Sequence, residues 1–303
     1  MKIAAFWQKF WFDPIDLMGV AWTRTFLGAT LFFSYLLRFE NLNLLTSEAL
    51  LPREQALKLF PEIMRPAWSW TFWPDSWAMT VHVLFCLGLF LWTFGVGGRI
   101  LGILIWVTHM GFIQRNYSIV FGADIMAGLF LFYLVFVETP EVIKNFSLFR
   151  KKNSTEPFAD KKSDFVSTAM VRLLQIQLAV IYAYTGFEKL KGSTWWDGTA
   201  LWAVFANPQM VWMDLSFIKS ISWVLPLIAF STVVFEVYFP AAVLSQRTRS
   251  YWLFAGFLFH IGIGFLMSLW SFSFVMLSIY FLFIDPLILR QVLLKMRRKN
   301  YFK

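Results

Sequence analysis

The chain is a succession of apolar runs, each long enough to cross a lipid bilayer. Eight lie near 17–38, 76–96, 99–114, 121–138, 166–189, 219–245, 250–268 and 270–288. A bilayer's hydrocarbon core is about 30 Å thick, so a helix rising about 1.5 Å per residue needs about twenty apolar residues to span it. No water reaches backbone amides there, so a spanning segment must close its hydrogen bonds within a helix or a closed barrel. The runs are continuous rather than alternating, which excludes the barrel. The expected fold is therefore all-α: a polytopic transmembrane bundle of eight spans. Composition agrees, with 58% hydrophobic and only 15% charged residues, against about 45–50% and about 25% in soluble domains.

Gly97 and Gly98 separate the second and third runs, and Pro140 is expected to end the fourth. Pro226 and Pro240 are expected to kink the sixth, where neighbouring helices tolerate a broken ladder. The basic polar stretch 145–164 sits within an expected linker, 139–165, joining two helical halves. That stretch suits either water or an anionic leaflet. The first residues, MKIAAFWQKFWFDPID, lack a cleavable leader's apolar core and small-residue site; an interfacial amphipathic lead-in is expected. The basic stretch 293–303 is expected to anchor at a membrane surface.

Orientation follows from the lysines and arginines. With the N-terminus inside, seventeen fall in inner segments and eight in outer ones. The excess favours both termini inside. The net charge of +9 is thus a topology signal rather than a nucleic-acid footprint. Cys86 is the one cysteine, which excludes an intramolecular disulfide and a cysteine-based metal site. No zinc-type histidine spacing, nucleophile elbow, P-loop or dinucleotide glycine motif occurs, so no metal is expected.

The most informative segment is QIQLAVIYAYTGFEKLKGSTWWDGT, residues 175–199. At helical spacing Arg172, Gln175, Tyr182, Gly186 and Lys189 share one face of the fifth run. Lipid cannot satisfy such a stripe, so it must face protein or water. A lysine ending an apolar run is ordinarily a snorkelling anchor. On this stripe it suggests an amine at the mouth of a cavity. His82, His109, Gln114, Arg115, Asn116, Tyr117 and Asp124 fall toward the same expected outer face. They form either a site with Lys189 or local hydrogen bonds, with Asp124 pairing Arg115. Arg24, Arg172, Glu236, His260 and Asp285 lie deeper or toward the inner side. Glu236 is the expected counter-charge of Arg24 or Arg172, a structural pair in preference to a proton relay, and His260 an expected core donor. Trp195, Trp196, Trp202 and Trp212 suit an interfacial aromatic belt or a lid over the mouth.

These residues resemble a known family. The run IYAYTGFEKLKGSTWWDGTAL is similar to the tyrosine–glycine–lysine–leucine and tryptophan–aspartate–glycine signature of the HTTM family, which includes the membrane domain of vitamin K-dependent γ-glutamyl carboxylase. Arg24, the connection RNYSIVFGAD, Glu236 with Pro240, and FHIGIGFLMSLWSFSFVML resemble further family features in the same order. The resemblance implies one HTTM-like domain over residues 1–303 in a bacterial inner membrane. In the carboxylase, the lysine matching Lys189 deprotonates vitamin K hydroquinone. Lys189 is by this resemblance a candidate catalytic base and a reduced quinone a candidate cofactor. Tyr182, Asn116, Tyr117, His109 and His260 are the candidate ligand-binding supports. A lysine desolvated in an apolar cavity can serve as a base near neutral pH.

The chain departs from the carboxylase in three ways. Tyr117 stands where the carboxylase has a histidine, and Glu188 where it has a second lysine. No lumenal carboxylase domain is expected after the helices. Some of the family, the sporulation-delaying-protein maturation factors, assist production of a secreted peptide toxin. The expected functions are therefore a quinone-linked enzyme, an accessory factor for a peptide or neighbouring membrane protein, or a small transporter.

Overall fold

The computed structural model describes residues 2–45, 55, 58, 61–68, 73–115, 120–138, 163–208 and 210–300. Among them the regular structure is helical. The longer helices are α1 (Lys2–Phe12), α2 (Met18–Leu37), α3 (Ala78–Thr93), α4 (Gly98–Arg115), α5 (Gly122–Val135), α6 (Phe165–Lys191), α7 (Val224–Leu244), α8 (Arg249–Met267), α9 (Trp270–Tyr280) and α10 (Pro286–Asn300). The all-α reading therefore holds.

The helices group into two compact units, one of residues 1–172 and 285–303, the other of residues 173–284. In the first unit α2 packs on α3, α4 on α5 and α10 on α2. Leu27, Leu89, Trp92, Ile105, Phe130 and Leu293 fill its interior. In the second, α7 and α8 pack together, as do α8 and α9. Leu178, Ala229, Phe239 and Ile279 lie at its centre.

Four described helical stretches are long and apolar enough to cross a membrane: Asp75–Thr93, Phe165–Lys191, Val224–Leu244 and Arg249–Met267. A fifth is added if the broken pair Trp270–Phe283 and Pro286–Met296 is taken as one. Only 22% of the apolar window of α8 is buried, and Phe254, Phe257, Leu258 and Phe265 project outward from it. A helix apolar all round and mostly uncovered by protein belongs in lipid. The chain is an integral membrane protein.

The remaining expected spans differ in detail. Residues 17–38 and 99–114 are helices, but not among those four. The fourth, expected over 121–138, is the fourteen-residue α5, about 21 Å long; Pro140 lies outside the described residues. The eighth, expected over 270–288, breaks at Ile284–Asp285, where Pro286 opens a new helix. Pro226 sits in the first turn of α7, where its missing N–H costs little, while Pro240 lies inside that helix. The expected linker 139–165 lies outside the described residues as far as 162.

Candidate functional site

The second unit contains the lysine that the sequence singled out. On α6, Tyr182, Gly186 and Lys189 recur at helical spacing and turn toward α7. Gly186 makes the approach feasible. A β-carbon there would lie 2.8 Å from the Val237 backbone nitrogen and 3.1 Å from the Glu236 carbonyl carbon, closer than packing allows. One turn further on, Lys189 Nζ donates to Glu236 Oε2 at 2.7 Å. The glutamate side chain is 5% exposed and that of the lysine 21%. The amine also stands 5.2 Å from the ring centre of Trp195, a cation–π contact. The expected pairing of Glu236 with Arg24 or Arg172 is thus corrected. The carboxylate takes the lysine that the same helix–helix contact presents to it. Upstream on α6, Gln175 donates to the Leu282 carbonyl at 2.6 Å.

Deeper in this unit a second polar chain is buried. The Tyr182 hydroxyl lies 2.5 Å from His260 Nε2 and 2.7 Å from the Tyr280 hydroxyl. Phe239 lies against the Tyr182 ring, tilted by 30°, at 4.0 Å between centres. Ser273 Oγ donates to the His260 carbonyl at 2.7 Å. His260 and Tyr182, expected as ligand supports, are here each other's partners, while His260 Nδ1 is buried without a hydrogen-bond partner among the described residues.

The tryptophan–aspartate–glycine segment has a structural task. Asp197 Oδ1 accepts the Thr199 N–H at 2.9 Å and the Thr199 hydroxyl at 2.5 Å. The hydroxyl leads these two bonds in holding the Asp197 carboxyl below its ordinary range. Gly198 takes a left-handed φ of 77°, and a β-carbon there would meet Pro226 at 2.5 Å. Only glycine allows both the turn and its seat on the start of α7. Trp196 donates its indole N–H to the Leu190 carbonyl at 2.7 Å. Trp202 and Trp212 line a cavity of 460 Å³ with Phe205, Met213, Leu215 and Lys219. Lys189, Tyr182 and His260 are not among its walls.

The remaining expected residues lie in the first unit or outside the described residues. His109 Nε2 faces the Asp124 carbonyl at 2.9 Å. A carbonyl only accepts, so Nε2 carries the proton and Nδ1 accepts from the Tyr35 hydroxyl, also at 2.9 Å. His82 Nε2 donates to the Tyr35 carbonyl at 2.9 Å. Asp124 pairs with Arg38 at 2.7 Å and accepts the Phe121 N–H at 3.1 Å. Arg115 pairs instead with Asp75 and donates to the Trp73 carbonyl at 2.7 Å. The expected Asp124–Arg115 pair is thereby replaced, because the end of α2 brings Arg38 to Asp124. Arg24 Nε donates to the Trp92 carbonyl at 3.2 Å, its guanidinium 4.5 Å from the Trp92 ring centre. Arg172 lies 4.9 Å from the Phe10 ring centre. Asn116 and Tyr117 fall outside the described residues.

The structure therefore brings Lys189 to Glu236, and Tyr182 to His260, while His109 closes a separate local network. Sequence reasoning passed over Tyr280 and the turn-forming part of Asp197 and Gly198. The Asp–Gly pair was a readable turn signal.

These features define an all-α integral membrane protein with a lysine–glutamate pair clamped between two apolar helices. No family model matches the chain, and no solved structure matches it. It is similar to the Sporulation-delaying protein SdpB of Bacillus subtilis (strain 168), at 28% identity over 148 residues. That stretch is 45% of this chain and 43% of the relative, so the match spans less than half of either.

Proposed function

We propose that the chain is an HTTM-type protein of a bacterial inner membrane, both termini inside, acting as an accessory factor in the maturation or export of a secreted peptide. The observation that carries this reading is the Lys189–Glu236 pair. A general base must hold a free lone pair within reach of its substrate. Lys189 instead donates to a buried carboxylate at 2.7 Å, so its amine is already engaged by a charged partner within the protein. The lysine then fixes α6 to α7 instead of abstracting a proton from a quinol. Similarity to a protein named for sporulation delay supports the peptide side of the proposal.

The test is mass spectrometry of the full chain purified from its own membranes after mild cross-linking. A co-purifying peptide or neighbouring membrane protein, with no stoichiometric quinone, is expected. A retained quinone whose oxidation is lost in Lys189→Met, with the protein still folded, would contradict the proposal and restore the carboxylase-like reading.

A further inference from the structure

One end of the first unit gathers segments far apart in sequence. The Ile15 N–H donates to Ser163 Oγ at 2.9 Å. Asp16 pairs with Arg290, Phe12 stacks on Phe165 at 5.3 Å between centres, and Arg99 reaches Asp164 at 3.5 Å. The starts of α2, α4, α6 and α10, with the C-terminal end of α1, therefore meet at this end. The charge count assigns Lys2 and Lys9, Arg99, the basic residues of 139–165 and those of the tail, which lie in or beside these segments, to the inner side.

Helix α10 docks on α2 through a narrow stripe, with Leu289 and Leu293 buried. Exposed apolar residues flank that stripe and continue round the helix, Leu294 and Leu287 on one side and Met296, Val292 and Ile288 on the other. Lys295 occupies the outward sector. In sequence α10 carries Arg290, Lys295, Arg297, Arg298 and Lys299, and 286–303 contains no aspartate or glutamate. Helix α1 repeats the pattern, with Trp7 and Phe12 exposed beside an exposed Lys9 and no acidic residue. Water disfavours exposed apolar shoulders, and the hydrocarbon interior disfavours five cations; the headgroup layer accommodates both.

We infer that α1 and α10 form an interfacial collar at this end of the first unit that binds anionic phospholipid headgroups. The phosphates complement a helix whose sequence holds four cations besides the Asp16-paired Arg290 and no acidic residue, and the exposed apolar residues enter the acyl boundary. The inference rests on the membrane reading and is independent of the peptide proposal.

The test uses the full chain and native mass spectrometry. Purified protein is offered equal phosphatidylglycerol and phosphatidylcholine, beside Lys9→Gln/Lys295→Gln/Arg298→Gln/Lys299→Gln. Wild type should retain the anionic lipid preferentially, and the variant should lose about fivefold or more of that preference. In parallel, a spin label is placed at Val292→Cys, Cys86 being buried, and its depth is read in vesicles of the same two lipids. A label at the headgroup–acyl boundary supports the collar. Equal retention by wild type and variant, a label bathed in water, or a label covered by a protein partner without lipid preference would each overturn it.

Discussion

Substituting Lys189 with methionine should destabilise the protein more than substituting Glu236 with glutamine, and substituting both should restore most of the loss. Lys189→Met strands a carboxylate that is 5% exposed. Removing one member of a buried pair costs about 3–5 kcal/mol. The lysine side is 21% exposed, so water already screens part of the attraction and the lower end of that range applies. A ceiling also exists. The stranded carboxyl can take up a proton, which for an ordinary glutamate at pH 7 costs about 2.7 pH units at about 1.36 kcal/mol each, or about 4 kcal/mol. The expected loss is about 3–4 kcal/mol, a fall in melting temperature on the order of 10 °C. Glu236→Gln leaves an amide oxygen to accept from an amine that still reaches water, and should cost about 1–2 kcal/mol. Lys189→Met/Glu236→Leu, with no charge left, should return to within about 1 kcal/mol of wild type. The assay is thermal unfolding in mild detergent, followed by fluorescence-detected size exclusion, at pH 7 and pH 5. The Lys189→Met deficit should shrink at pH 5, where protonating the stranded carboxyl is cheaper. Equal stability of wild type and Lys189→Met would refute the clamp. So would a double variant as unstable as the single.

Three further outcomes follow from the packing. Gly186→Ala places a methyl group 2.8 Å from the Val237 nitrogen and should cost about 1–3 kcal/mol in the same melt, because backbone rather than a side chain must give way. Tyr182→Phe removes a hydroxyl with two partners and Tyr280→Phe one with a single observed partner. The former should therefore be worse by about 1 kcal/mol, and an equal loss would argue against the chain. Arg38→Met strands an Asp124 carboxylate that is 5% exposed and should cost about 3 kcal/mol; thermal unfolding of that variant checks it.

The sequence disclosed the fold class and most helices because lipid imposes a length and composition that single runs display. The expected spans 166–189 and 250–268 match α6 and α8 to within two residues. Asp285–Pro286 broke the last expected span, although proline's bias against a preceding helical residue is visible in sequence. The site was half legible. Periodicity placed Tyr182, Gly186 and Lys189 on one face, and that face does meet α7. It could not say which carboxylate would answer, because pairing depends on helix packing across 47 residues. Arg24, expected opposite Glu236, donates to a carbonyl and lies over an indole face. Buried cations accept both, and hydropathy distinguishes neither.

In the proposed function, Lys189 holds two helices together in a protein that serves a secreted peptide. The measurement that tests this is mass spectrometry of peptides in the culture medium of the source organism. Wild type, a strain lacking the gene, and one carrying Lys189→Met/Glu236→Leu would be compared. The account predicts that deletion removes a mature peptide and that the charge-free variant restores it. An unchanged peptide profile on deletion, or a folded double variant that restores nothing, would contradict it.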